Sequence, residues 1–279
     1  MRAFTWKKSV LLLLALMMIM TVPDLSCFAD AAPSGTETAQ QEEKNGLVKE
    51  GGKFFFYKKG QKTVSKWVTI KKNTYYFGED GTAVTGWKTL KKGSKYKVFY
   101  FTKKGVLKPK KTSYIDQKSV NKIVKKADQI IRKAGVTKTT DAETALEKLY
   151  RYMTAGNHFK YSRDTSVSKP KGWEYPYAAA MLGKRAGSCY HFAAAYAFLA
   201  ARATGLPVKV CTGKAAVFDA GLLQPHAWTE VKIGGKWYIV DTDAGKFSKR
   251  KNIPFFKLKV SSATAKKNFK KAKKTVLHF

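Results

Sequence analysis

Cys189, His226 and Asp241 have the three side-chain types that nucleophilic cysteine catalysis requires, and they follow one another in this order. A cysteine attacks only as its thiolate, and both a helix N-terminus and a nearby imidazole favour that anion. A carboxylate next to the imidazole then keeps the ring in the useful tautomer. We therefore predict a catalytic Cys-His-Asp triad.

The first element that must position this chemistry is a helix over residues 189–204. The segment is rich in Ala and Leu and contains no Pro, and Gly205 follows it as a stop signal. Gly187 and Ser188 give a flexible entry and an N-cap residue. The pattern predicts that Cys189 lies in the first helical turn.

The second element is a hairpin that carries the histidine and the acid. Gly234-Gly235 is typical of a two-residue turn, and it lies between apolar-rich runs. Counting back from that turn places Trp228 opposite Asp241, and His226 shares a strand face with Trp228. Asp241 is then a diagonal neighbour of His226, whereas Asp243 lies directly opposite it. The register alone leaves both acids open.

The segments around these residues have a recognisable order. They are Gly187–Cys189 at the start of the helix, Ala203–Val208 after it, His226–Trp228, and Trp237–Asp241. Together they resemble the transglutaminase-like superfamily of papain-type fold, over roughly residues 115–260.

This resemblance implies an α+β papain-like domain, and it implies Asp241 rather than Asp243 as the acid of the triad. Thr242 stands where the family often has proline. The family includes crosslinking enzymes, peptidases, deglycosylating enzymes and inactive members, so the resemblance does not fix the reaction.

The remaining site residues are less determined. An oxyanion hole is expected to use the backbone N–H of Cys189 with a second donor, for which Tyr161 or the loop before the helix are candidates. His191 follows Cys189 by two positions and is predicted to point away. A zinc site built from Cys189, His191, Cys211 and His226 matches no usual ligand spacing, so we predict neither metal nor cofactor.

Residues 1–29 have the pattern of a secretory signal peptide. Basic residues precede an apolar run, and Ala29–Ala31 forms a small-x-small cleavage site. A retained membrane anchor and a lipoprotein modified at Cys27 are the alternatives. After cleavage the chain keeps Cys189 and Cys211, and a disulfide between them is the competitor of the nucleophile hypothesis. Cys211 lies in a strand-like run and is predicted to be a buried packing residue.

The charge is strongly one-sided, with a formal net charge of +35. Every charged residue from Lys246 to Phe279 is basic. Such a field favours an anionic partner. The export signal favours an anionic envelope polymer or phospholipid as that partner. We do not expect nucleic acid as a partner. Simple solubility is the alternative explanation.

Residues 30–48 are polar and are predicted to be a flexible linker, and an internal repeat follows over residues 49–111. Each unit combines an aromatic strand, a glycine turn and a second short strand. The units resemble the choline- and glucan-binding repeats of Gram-positive surface proteins. That resemblance implies a carbohydrate or cell-wall ligand near Trp67, Tyr76 and Trp87. The alternative is that these rings only pack the repeat.

Residues 112–279 are assigned to the catalytic domain with a basic C-terminal segment. Apolar spacing predicts a helix over residues 120–134, and Thr140 is a candidate cap for a second helix. Residues 162–176 are predicted as a loop, and residues 260–279 as a final strand or a tail.

The sequence thus predicts a secreted, cell-surface or cell-wall-associated enzyme that acts on amide bonds of a peptide or protein. Hydrolysis is favoured over crosslinking because water needs no second binding site. The alternative is a non-catalytic protein that binds cell-wall or other anionic polymers through a degenerate domain. No stable membrane span is expected after signal cleavage.

Overall fold

The structure is a computed structural model that describes residues 43–163 and 169–279. The predicted signal peptide, with Cys27, and most of the predicted linker lie outside the described residues. The linker boundary needs one correction, because the first strand begins at Gly46 and not after Val48. No helix among the described residues is long and apolar enough to cross a membrane.

Strands and helices both contribute, which confirms the predicted α+β class. The seven strands of the repeat region are β1 (Gly46–Glu50), β2 (Lys53–Lys58), β3 (Gln61–Lys62), β4 (Lys66–Ile70), β5 (Asn73–Phe77), β6 (Gly86–Lys92) and β7 (Lys95–Phe101). The later strands are β8 (Lys160–Tyr161), β9 (Ala186–Gly187), β10 (Val208–Ala215), β11 (Gln224–Ile233), β12 (Lys236–Val240), β13 (Leu258–Lys259) and β14 (Phe269–Val276). The helices are α1 (Gln117–Lys133), α2 (Ala142–Thr154), α3 (Glu174–Lys184), α4 (Cys189–Thr204), α5 (Thr242–Phe247) and α6 (Ala263–Asn268), and a 3₁₀ turn spans Pro109–Thr112.

The repeat region is a stack of antiparallel hairpins. β1 pairs with β2, β4 with β5, and β6 with β7. Single bridges join the end of a hairpin to the segment that follows it, as between Phe77 and Ala83 and between Phe101 and Leu107. Phe77 and Phe101 are fully buried, so neighbouring hairpins bury the aromatic face that one hairpin alone leaves exposed.

The last hairpin is joined to the helical part by specific side-chain contacts. The side-chain amide of Gln117 accepts from the N–H of Val98 and donates to its carbonyl, over 3.0 and 3.1 Å. The side chain of Asn121 accepts from the N–H of Tyr96. Val98 is fully buried in the same core as α1. The predicted boundary at residue 111 therefore separates two sequence patterns that share one core.

The C-terminal part is built on a five-stranded antiparallel sheet in the order β13-β12-β11-β10-β14. Helix α4 packs against β10 and β11, and its residues 192–200 are all buried. A helix that is apolar on all sides is expected in the centre of a domain. Each fully buried Phe or Leu side chain contributes roughly 1.5–3 kcal/mol, so the helix that carries Cys189 is firmly held.

The local predictions hold for the long periodic segments and fail at irregular ones. The helix predicted over residues 120–134 is α1, with Asp116 as its N-cap. Helix α2 begins one residue later than predicted, because Asp141 rather than Thr140 accepts the capping hydrogen bond. The predicted loop 162–176 ends early, since α3 begins at Glu174.

Candidate active site

Cys189 is the first residue of α4, as predicted, and its side chain is only 8% exposed. Ser188 precedes it in an extended conformation and serves as the N-cap residue. The positive end of the helix dipole therefore lies at Cys189.

His191 supports this helix start instead of acting as a base. Its Nδ1 accepts a hydrogen bond from the N–H of Ser188 over 3.3 Å. The ring packs against the backbone of Gly187, where any Cβ would collide with it. The glycine two residues before Cys189 is thus needed for close approach of the His191 ring.

A short parallel strand pair flanks the entry to α4. In it β8 runs beside β9, with Tyr161 paired to Gly187, and the N–H of Ser162 donates to the carbonyl of Gly187 over 3.0 Å. Tyr161 is half exposed and lies beside the segment that leads to Cys189. This position is compatible with the predicted role as second oxyanion donor, which stays a prediction.

His226 comes from β11 and is almost completely buried. Its Nε2 lies 2.7 Å from Oδ2 of Asp241. An ionised carboxylate only accepts hydrogen bonds, so Nε2 carries the proton and donates. The other ring nitrogen, Nδ1, is left for Cys189, which contacts the ring.

Asp241 follows the last residue of β12 and is the N-cap residue of α5. Its Oδ1 accepts from the N–H of Ala244 over 3.0 Å, and its own N–H donates to the carbonyl of Phe255. Backbone and side chain are therefore both fixed. The hairpin register was predicted correctly as far as it extends: the turn pairs Ile233 with Lys236, and the ladder ends at Val240.

The electrostatics of the pair favour a charged histidine. Burial alone would lower the pKa of His226, but the charge and hydrogen bond of Asp241, with a smaller contribution from Cys189, hold that pKa well above its ordinary value. An imidazolium beside a thiol favours the thiolate. The three residues thus form a buried arrangement suited to general acid–base chemistry at sulfur.

Asp243 reaches the site by a route that the sequence did not predict. It does not lie opposite His226 in a ladder, because the strand has ended and Asp243 belongs to the first turn of α5. That turn nevertheless brings it back to the site, so that one ligand atom each of Cys189, His226 and Asp243 lie within 4.8 Å of one another. Burial raises the pKa of Asp243 to about 7, an effect that the charge of His226 opposes and that of Asp241 reinforces.

Cys211 is remote from this chemistry. It is a free cysteine like Cys189, so the structure holds no disulfide between them. It lies on β10 opposite Trp228 in a separate apolar cluster, and burial raises its pKa well above the ordinary range. The zinc set that included Cys211 and His191 is not brought together.

The three predicted wall-binding rings are divided between two places. Trp67 and Tyr76 contact each other with ring centroids 5.1 Å apart, and Trp67 also packs on Phe99 at 4.8 Å. The side chain of Lys92 covers Trp67, with Nζ 4.7 Å from the ring centroid. Both rings therefore already have partners within the chain.

Trp87 lies elsewhere and stacks on His278, with ring centroids 4.1 Å apart and planes 10° apart. His278 follows β14, the edge strand into which the predicted C-terminal strand or tail folds. No sequence pattern signals this contact, because it joins residues that are far apart along the chain. Trp87 therefore also has a partner within the chain, and its role in ligand binding stays a prediction.

A comparison with protein families matches the part of the chain that contains the candidate site. The family model described as Transglutaminase-like superfamily matches residues 128–242, a span that contains Cys189, His226 and Asp241. Among curated proteins, none gives a significant match.

Solved structures match both parts of the chain with low scores. A structure described as a TGase is 20% identical, covers 55% of this chain and 39% of its own, and has a TM-score of 0.36. The cell wall endolysin from phage Cp-1, solved with choline, is 28% identical over 23% of this chain and 18% of its own, with a TM-score of 0.21. CbpJ from Streptococcus pneumoniae TIGR4 is 24% identical over 23% of this chain and 22% of its own, with a TM-score of 0.20.

This chain therefore spans well under half the length of each of these three structures. Its N-terminal hairpins are similar to the choline-binding endolysin region. Residues 128–242 form a domain of the transglutaminase-like superfamily.

Proposed function

We propose that this protein is an exported cysteine enzyme of the cell envelope that acts on amide bonds of a peptide or protein. The observation that carries the proposal is the position of His226, which contacts Cys189 and is held by Asp241 over 2.7 Å. The three side chains come from α4, β11 and the end of β12, so the fold and not a single motif assembles them.

The geometry supports acyl transfer through the sulfur of Cys189. His226 takes the thiol proton, and the thiolate forms a C–S bond to the carbonyl carbon. When the C–N bond breaks, the imidazolium gives its proton to the departing amine. A water molecule then attacks the thioester, loses a proton to His226, and releases the acid and the free thiol.

Asp241 acts through the histidine. It fixes the tautomer in which Nδ1 faces the sulfur, and its charge stabilises the imidazolium that forms during the reaction. A lysine amine in place of water gives a crosslink by the same steps. We favour hydrolysis, because crosslinking needs a second substrate held at the same sulfur.

The decisive experiment combines labelling with a substrate profile. The mature protein is treated with an iodoacetamide probe at neutral pH, with C189A and C211A as matched controls. Fast labelling that depends on Cys189 alone supports the nucleophile, because Cys211 is buried and its pKa is raised. Peptides and peptidoglycan fragments, offered with and without an amine acceptor, then separate hydrolysis from crosslinking.

A wild-type protein that is well folded yet not labelled at Cys189 would favour the alternative, a non-catalytic binding protein.

One observation supports polymer binding by the repeats. A groove of about 670 Å³ runs between the last two hairpins and the 3₁₀ turn and is lined by Tyr100 and by exposed lysines. These lysines are Lys72, Lys108, Lys110 and Lys111.

We therefore propose that the repeats attach the enzyme to an anionic wall polymer such as teichoic acid, and we expect no nucleic-acid partner. Charge is favoured over ring stacking as the source of binding, because Trp67 and Trp87 already pack against side chains of the protein. Localisation at the cell surface or cell wall follows from this proposal and from the predicted signal peptide.

A further inference from the structure

Cys189, His226 and Asp243 converge on one point of the site although they come from three different elements. One ligand atom of each lies within 4.8 Å of the others, and all three residues are buried. A sulfur, an imidazole nitrogen and a carboxylate oxygen are the ligand types of protein-bound zinc.

Asp243 is the member of this group that nothing else explains. Its side chain is 1% exposed, and within residues 43–163 and 169–279 neither carboxylate oxygen has a hydrogen-bond partner. A buried carboxylate without partners is costly, and a bound cation is one of the arrangements that removes the cost. The unpartnered oxygens therefore point to a positively charged ligand.

His226 is prepared for the same ligand. Asp241 holds Nε2, so the nitrogen open to a metal is Nδ1. A carboxylate that orients the far side of a metal-binding imidazole is a regular feature of zinc sites and raises the basicity of the ring. Asp241 is thus outside the ligand set but supports it.

The mixed S, N and O donors favour Zn²⁺ over the hard cations. Ca²⁺ and Mg²⁺ take oxygen ligands almost exclusively. Zinc–ligand bonds of about 2.0–2.3 Å in a tetrahedron require ligand atoms about 3.5 Å apart. The ligand atoms, which lie within 4.8 Å of one another, have to move closer by about 1.3 Å at most, which rotamer adjustments of the three side chains supply.

We propose that Cys189, His226 and Asp243 bind a Zn²⁺ ion and that the bound ion reversibly blocks the cysteine. Binding forms a Zn–S bond to the Cys189 thiolate and a Zn–N bond to the neutral Nδ1 of His226, and the one proton that these two side chains share passes to solvent. No redox step is involved, and water fills the fourth position. The inhibitory consequence rests on the proposed function, whereas the binding itself does not.

Binding is measured without any assay of activity. Co²⁺ is added to the chelator-treated full chain, because a cobalt–thiolate bond gives a charge-transfer absorption in the near ultraviolet. The wild type is expected to show this band, C189A to lose it, and C211A to keep it. A wild type without the band, or a band that depends on Cys211, overturns the proposal.

Asp243 is tested as a ligand by D243N, with D219N as the matched control. Asp219 is exposed on the loop before β11 and accepts from Gln224. D243N is expected to weaken Co²⁺ and Zn²⁺ binding at least about tenfold, while D219N binds as the wild type. Circular dichroism checks that D243N folds; equal affinity in folded D243N and wild type overturns the assignment.

Blocking of the thiol is measured by iodoacetamide labelling of Cys189 with and without Zn²⁺. Protection in the wild type, reversed by chelator, supports inhibition. Fast labelling that Zn²⁺ does not slow leaves the proposed enzyme standing and refutes the metal inference. A cobalt band in a protein whose metal-free form is not labelled at Cys189 supports the metal site and contradicts the proposed enzyme. Activity that requires Zn²⁺ after chelation refutes an inhibitory role.

Discussion

Asp241 holds His226 with one carboxylate oxygen and caps the following helix with the other. Oδ2 accepts from Nε2 of the ring over 2.7 Å, and Oδ1 accepts from the N–H of Ala244 over 3.0 Å. The acid that orients the proposed base is therefore itself fixed by the end of a strand and the start of a helix. Because this carboxylate is already held in place, orienting the imidazole costs no further conformational entropy during the reaction, which favours efficient general-base chemistry.

The role of Cys189 gives the first prediction. C189A is expected to abolish turnover and leave the fold intact, because alanine suits the first turn of a helix. C211A is expected to keep activity and to lose some stability, since it empties part of a buried cluster. Turnover of a model peptide and thermal melting of both variants test this. The reverse pattern of activity would falsify the site assignment.

The two acids give the second prediction. D241N is expected to lower kcat/KM by roughly 10²–10⁴, because an amide at this position no longer fixes the required tautomer. Asparagine is still a good N-cap, so the melting temperature is expected to change little. D243N is expected to cost far less activity. Both variants replace a buried aspartate at the start of α5, which makes them matched controls for each other.

A larger loss of activity in D243N than in D241N would show that Asp243 is the acid that orients His226. The register argument left this open, and the resemblance to the superfamily favoured Asp241. The 2.7 Å contact agrees with the resemblance.

Asp241 and Asp243 show which features of the site could be predicted from the sequence and which could not. The turn at Gly234-Gly235 determined the hairpin register, because alternation and turn type are local properties. The end of the strand at Val240 was not visible, since Asp-Thr-Asp-Ala has no clear period. The sequence prediction extended the ladder past Val240 and therefore placed Asp243 opposite His226. In the structure Asp243 lies in the first turn of α5, and this turn brings it back to the site.

Other outcomes follow the same division. The long helices α1 and α4 were predicted because apolar spacing and a glycine stop are strong local signals. Helix α3 was missed, because Pro176 and several aromatic residues resemble a loop, although proline is well tolerated in a first turn. The contact between Trp87 and His278 depends on tertiary structure, and no local pattern announces it.

That contact gives the third prediction. Partial burial, with a smaller effect of Lys171, lowers the pKa of His278. A histidine with a lowered pKa in the folded state binds protons more tightly when unfolded, so its contribution weakens as pH falls below about 6.5. H278F keeps an aromatic ring on Trp87 but does not titrate. The loss of melting temperature between about pH 7.5 and about pH 5.5 is expected to be smaller in H278F than in the wild type.

H278A is the companion variant. It removes the stacked ring, which is worth about 0.5–1.5 kcal/mol beyond area burial, and is expected to lower the melting temperature at both pH values. His158 serves as the control position, because it packs on Tyr152 away from this contact. An identical pH dependence of H278F and wild type would show that His278 does not titrate differently in the two states.

The source of wall attachment gives the last prediction. The triple variant K108Q/K110Q/K111Q removes three charges from the groove of the last repeats, and K122Q/K125Q/K126Q removes three charges from α1. If the groove binds an anionic polymer, the first variant is expected to bind isolated Gram-positive walls at least about tenfold more weakly, while the second stays close to the wild type. Net charge is the same in both, so the comparison separates a site from a general field.

The salt dependence of wall binding and a variant of Trp67 complete this test. Binding by the groove is expected to fall steeply between low salt and physiological salt, where the Debye length is about 8 Å. It is also expected to be lost from walls stripped of teichoic acid. W67A is expected to lower stability more than wall affinity, because Trp67 packs against Phe99 and Tyr76. Salt-resistant binding that disappears in folded W67A would instead identify ring stacking as the source of attachment. Equal weakening by the two lysine variants would mean that the whole basic surface contributes, including the lysines of β14.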